Sequence, residues 1–289
     1  MRSSNPVFAR RGFRHHDATG SPAVRQPEPV GAMAGGGPEG VAPAGPPARE
    51  AAQGLVEVAP AQHPAMTIDD VTTRAGATLG TLVLAAALSW VLLPVDSAGI
   101  GTAYAVGAGA ALAAFLLAMV QAFRPSPSPA LILGYAALEG VFLGTVSDAT
   151  SAFIAPGVVV QAVLGTMAVF AGVLIAYRRR WIRVTRRFSG LALGAATGLL
   201  LLMAADLLFS AFGADSFGFG SGPLGVVFGI AGILLGGAFL ALDFKQVEDG
   251  IAQGAPREDA WFAAFGLTTT LVWIYLEALQ VLSILRGED

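Results

Sequence analysis

Leu240-Ala-Leu-Asp-Phe-Lys-Gln-Val-Glu-Asp249 closes a long apolar run on a carboxylate, Asp243, and the reading of that acid decides the fold. Counting back from it by 7, 11, 14 and 18 positions reaches Gly236, Gly232, Gly229 and Gly225. At about 100° per residue these glycines and the aspartate share one helix face. Small residues at this spacing let a second helix approach closely within lipid, so Asp243 points into a bundle and away from acyl chains. The next apolar run carries a second acid, Glu277, with Gly266, Thr270, Trp273 and Gln280 near its own face. The pattern predicts that the two helices pack together and that Asp243 meets Glu277. Because Asp243 lies near the inner end of its run and Glu277 about 16 residues into the next, roughly 24 Å by helix rise, that contact requires the sixth helix to extend past Phe244, the seventh to start below the membrane surface, or a tilt.

The composition agrees with a membrane protein. The chain has 289 residues, of which 54% are hydrophobic and only 13% charged, and its mean hydropathy is +0.65, too apolar for an ordinary soluble domain. The lack of cysteine excludes disulfides, thiolate metal sites and cysteine catalysis. All three histidines, His15, His16 and His63, precede the first apolar run, so none serves within the membrane. No protein-bound cofactor is expected. The seventh apolar run holds no lysine for a Schiff base, and the chain has no Gly-x-Ser-x-Gly elbow, His-Glu-x-x-His helix or P-loop. An enzyme is therefore not expected.

Residues 1–66 are rich in Pro, Gly and Ala without apolar periodicity and are read as a disordered cytoplasmic tail. Arg10-Arg11 resembles the start of a twin-arginine signal, but no apolar stretch follows it, and a solvated basic arm is the simpler reading. Order is expected to begin near Thr67, which with Asp70 three residues later approaches a capping box. Residues 67–289 form the membrane domain. Its seven apolar runs, at 75–93, 103–123, 130–146, 157–177, 188–212, 224–244 and 261–285, are each about the ~20 residues that cross a bilayer. The fold expected is an all-α, seven-transmembrane-helix bundle.

Basic residues set the orientation. Arg74, Arg124, the six arginines at 178, 179, 180, 183, 186 and 187, and Lys245 with Arg257 all fall on one side of seven alternating spans. The opposite loops are read as carrying Asp96, Asp148 and Asp215 without a basic residue, and only Arg286 departs from the asymmetry. The positive-inside rule then puts the N-terminus in the cytoplasm and the C-terminus outside a cytoplasmic membrane. The arginine-rich loop is read as a topology determinant in preference to a nucleic-acid or lipid-binding site. Trp90, Trp181, Trp261 and Tyr177 are read as interface anchors, while Trp273 lies deeper, near Glu277.

Four acids fall within the spans: Glu139, Asp206, Asp243 and Glu277. An ionised carboxylate at membrane depth costs at least a few kcal/mol, so each is expected to be protonated, hydrated, or neutralised by a mobile cation. Asp243 and Glu277 are the candidate pH-sensing and cation-binding pair, and Glu139 and Asp206 the candidates for the rest of a cation path.

The motifs Leu138-Glu-Gly-Val-Phe-Leu-Gly144, Leu242-Asp-Phe-Lys-Gln246 and Trp273-Ile-Tyr-Leu-Glu277, in this order on seven spans, resemble the Bax inhibitor-1/YccA family, most closely its actinobacterial members. The resemblance covers 67–285. It implies a bundle with a central last helix and a pair of acids on the last two helices that senses pH for a calcium leak across the membrane. Asp243 matches the first acid. The second is usually Asp, whereas this chain has the longer Glu277. If the pair shared one proton it would titrate as a unit, and losing that proton would leave two repelling charges or a transient oxygen site for Ca²⁺. A non-conducting regulator that binds other membrane proteins, such as a membrane protease, is the alternative. A proton-coupled transporter is the weaker third reading, because no paired repeat or broken helix is visible.

Overall fold

The computed structural model describes residues 64–93, 95, 99–212 and 220–287. Seven helices are present in them: α1 Ile68–Leu92, α2 Ile100–Phe123, α3 Pro129–Phe153, α4 Val158–Arg178, α5 Arg186–Ala211, α6 Gly222–Ala252 and α7 Ala260–Gly287, the last preceded by a 3-10 turn at Arg257–Asp259. All seven are long and apolar enough to cross a membrane. The protein is an all-α membrane bundle.

Local signals explain where these helices start and stop. Thr67 caps α1 with a complete capping box: its hydroxyl accepts from the Asp70 amide and the Asp70 carboxylate accepts from the Thr67 amide, both at 3.2 Å. Proline occupies the first turn of α3 and of α6, where its missing N–H is no loss. Gly157 enters α4 at a φ of 92°, a conformation that favours glycine. The helices overrun the apolar runs wherever a polar flank can still close helical hydrogen bonds. So α1 begins well before residue 75, α3 continues past 146 to Phe153, and α6 reaches Ala252, two turns beyond Phe244. This corrects one loop assignment: Asp148 lies in α3, where its carboxylate accepts from the Val95 amide at 2.9 Å. Asp96 and Asp215 lie outside the described residues.

Close backbone approach organises one half of the bundle. A Cβ added at Gly140 would fall 2.3 Å from the Leu82 carbonyl oxygen, and one at Gly144 would fall 2.4 Å from that of Ala86. The Gly-xxx-Gly face of α3 is therefore the surface on which α1 lies. Ser89 Oγ donates to the Val141 carbonyl across this contact at 3.0 Å. On another side of α3, α2 packs with Gly107 against Thr145. The centre belongs to α7, which packs on α1, α3, α4 and α6, whereas α5 rests on α6.

The arginine-bearing ends of the helices are joined by a strap. The Met66 amide donates to the Ala255 carbonyl at 2.8 Å and the Arg257 amide to the Pro64 carbonyl at 2.9 Å. Arg257 also reaches Asp70 at 2.6 Å, and Arg74 lies 5.5 Å over the Trp261 ring while donating to the Arg257 carbonyl. Met66 is buried against Gly250. The tail expected over 1–66 thus ends earlier. Residues 64–66 are held by this bridge, and 1–63 lie outside the described residues.

Candidate functional site: the seam between the last two helices

The glycine stripe of α6 faces α7. Gly225, Gly229, Gly232 and Gly236 are all buried. A Cβ at Gly229 would meet Val281, one at Gly236 would lie 2.5 Å from Ile274, and one at Gly232 would lie 2.5 Å from the Glu277 carboxyl carbon and 2.7 Å from both its oxygens. The Glu277 carboxyl group therefore occupies a notch that exists only because residue 232 has no side chain, and Glu277 is just 8% exposed. Toward the arginine-bearing end, Asp243 sits beside Gly266 and accepts from Thr270 Oγ1 at 2.7 Å.

This register keeps the two acids apart. The position facing Asp243 is close to residue 267, so Glu277 lies about ten residues further along α7, roughly 15 Å by helix rise. The extension of α6 past Phe244 does not bring them together, because α7 begins in step with it at Ala260. Between them Ile274, fully buried, fills the space over Gly236. The expected contact between Asp243 and Glu277 is not formed, and neither is a shared-proton pair or a calcium chelate built on both. Ca²⁺ takes six to eight oxygens, and among the described residues no group of three or more His, Cys, Asp or Glu could hold a metal ion.

The other candidates lie elsewhere. Glu139 is half-buried on α3, one turn beyond Tyr135, whose ring meets Phe265 of α7 edge-on at 5.2 Å. It therefore stands on the α3 side of α7, while Asp243 stands on the α6 side. Asp206 is on α5, which packs on α6 and takes no part in the seam. Neither Glu139, Asp243 nor Glu277 forms a salt bridge among the described residues. Trp273 does pack near Glu277: its ring lies 6.3 Å from that of Phe239, and its buried indole N–H faces the Glu277 carboxyl without closing a bond of normal geometry.

Two further residues belong to the site. Tyr275 binds Ser147 of α3 at 2.6 Å, fixing α7 to α3 between Trp273 and Glu277. Ile274 is the layer that separates the acids, and one isoleucine in an apolar run gives no signal of that role. Recesses open at both ends of the seam. The one at the arginine-bearing end is lined by Met66, Gln246, Gly250, Asp259, Phe262 and Phe265, and the opposite one by Ser221, Gln280, Ser283 and Gly287.

A family model described as Bax inhibitor 1 like matches residues 5–287. The chain belongs to the Bax inhibitor 1 like family. The match takes in residues 5–66, which the sequence resemblance leaves out. A search of curated proteins found no match. Membership in the Bax inhibitor 1 like family agrees with the seven helices and the central position of α7.

Proposed function

We propose that this protein is a pH-sensitive cation leak channel of the cytoplasmic membrane, with calcium as the permeant ion. Its arginine-bearing face is cytoplasmic, as the positive-inside rule requires. The observation that carries the reading is the layering of the seam, in which Ile274, fully buried over Gly236, stands between two carboxylates that form no salt bridge among the described residues. Each acid lies toward one of the two recesses, Asp243 toward that at residues 246–265 and Glu277 toward that at 280–287.

An apolar constriction blocks ions by excluding water, and charged side chains next to it control whether water and cations enter. Protonated Glu277 fits the Gly232 notch as a neutral group. Its ionised form must be hydrated or matched by a cation, since bare charge at this depth costs several kcal/mol. Leaving the notch unseats the Ile274 layer one turn away and links the two recesses. Asp243, held by Thr270, supplies the second acid at the cytoplasmic end. The two act as separate sites in series. Calcium flux into liposomes holding only this protein, followed across pH, tests the proposal. Glu277→Gln should abolish the pH response, and Ile274→Ala should leak at every pH. A wild type that passes no calcium at any pH would overturn channel activity and leave the partner-binding regulator as the reading to pursue.

A further inference from the structure

The turn between α4 and α5 holds six exposed arginines, at 178, 179, 180, 183, 186 and 187. No Asp or Glu occurs between Asp148 and Asp206, and none of the six forms a salt bridge among the described residues. Topology alone does not require so many, since the other connections on this face carry Arg124, or Lys245 with Arg257. Two are badly placed for the fold itself. Arg186 and Arg187 open α5, where the helix dipole disfavours positive charge. Arg180 adopts a φ of 59°, a left-handed conformation usually left to glycine. It does so in a Schellman-type turn, with the Trp181 amide bonded to the Ala176 carbonyl at 2.9 Å. This turn throws Trp181 outward, 76% exposed.

Below the turn the helices diverge. Although consecutive, α4 and α5 each pack on α6 and make no substantial contact with one another among the described residues. The side of α6 next to α4 is marked by Gly237, which meets Val169 and Val173. Leu234 lies roughly 60° further round that helix and is well exposed. It lies on the α4 side of α6, ten residues below Phe244, whose ring meets that of Tyr177 at 5.8 Å just before the arginines, so it is roughly 15 Å beneath them and within the half-thickness one acyl chain spans.

We propose that the space between these helices is a binding site for one anionic phospholipid, with its phosphate on the arginines of the α4–α5 turn and an acyl chain running down to Leu234 of α6. Guanidinium groups match phosphate oxygens by paired hydrogen bonds. A phosphate at this position also relieves the adverse charge at the start of α5. Trp181 sits at the level of the headgroup, where indole rings are favoured.

The test uses the full-length protein in nanodiscs of phosphatidylcholine doped with phosphatidylglycerol, with bound lipid counted by native mass spectrometry. Phosphatidylglycerol should be retained well above its bulk fraction. Arg179→Gln, Arg180→Gln and Arg183→Gln should each weaken it about fivefold, as expected for roughly 1 kcal/mol per arginine at a membrane surface. Arg180→Gly separates lipid binding from folding, because it should raise the melting temperature in pure phosphatidylcholine while still weakening retention. Leu234→Trp, which blocks the path of the acyl chain, should lower retention with every arginine in place. Equal retention of the two lipids, or retention unchanged in the arginine variants, overturns the site. Full displacement by inorganic phosphate would show a free-anion site and equally overturn it.

Discussion

Gly232→Ala is the substitution whose effect the seam determines most directly. The new Cβ would sit 2.5 Å from the Glu277 carboxyl carbon, so the carboxyl group must move by about 1 Å or more to restore normal contact. Overpacking of this kind costs about 1–3 kcal/mol, and alanine in place of glycine within a helix returns about 1 kcal/mol. The net loss should be about 0–2 kcal/mol, because the obstructing atoms are the end of a flexible side chain. Gly140→Ala provides the contrast. There the obstruction is the Leu82 carbonyl oxygen at 2.3 Å together with the Ala85 Cβ at 2.8 Å, so helix α1 itself must shift. Its loss should exceed that of Gly232→Ala. Thermal unfolding in nanodiscs measures both, and calcium flux across pH measures the function of Gly232→Ala, whose pH midpoint should move while the protein stays folded. Equal destabilisation by the two substitutions, together with an unmoved midpoint in Gly232→Ala, would refute the notch as the seat of Glu277.

Other outcomes follow from the same geometry. In a double-mutant cycle of Asp243→Asn and Glu277→Gln on flux, the coupling should stay near 1 kcal/mol, as two charges roughly 15 Å apart give at an effective dielectric constant of about 20; coupling of several kcal/mol would mean that the acids meet. Ile274→Ala should cost about 2–5 kcal/mol in a chemical unfolding series, since it empties a fully buried site. Deleting residues 1–60 should leave the melting temperature nearly unchanged, whereas deleting 1–67 removes the strap and the Thr67 cap and should lower it, the cap alone accounting for about 1 kcal/mol. A tag at the C-terminus should be reached from outside the cell and one within 178–187 only from inside, and labelling of both from the same side would contradict the orientation.

Much of the fold was legible because its signals are local. The capping pair Thr67 and Asp70, the Gly-xxx-Gly face of α3 and the glycine stripe of α6 can each be read within one or two turns, and each does in the structure what its chemistry requires. The faces of Asp243 and Glu277 were legible for the same reason. Their register was not, since it depends on how far α6 runs into polar sequence and on where α7 begins, and a few residues at either helix end move an acid by a whole layer. Asp148 was misplaced because apolarity marks what crosses lipid, while a helix continues as long as its backbone bonds can close. Thr270 stood out beside Glu277 and proved to be the partner of Asp243.

The strap gives the chain a clock. Asp70 and Arg257 are 187 residues apart, so α1 can enter the membrane long before the partner that fixes its first turn has been made. At about 5–20 residues per second of synthesis that interval is roughly 10–40 s. During it Met66 has no Gly250 to cover and the α1 terminus is held by its capping box alone. Closure of the strap is therefore a late event of assembly, and a chain truncated before Ala255 can never reach it. Protection of the Met66 amide from hydrogen exchange would then mark the molecules in which the α6–α7 connection has closed onto the start of α1.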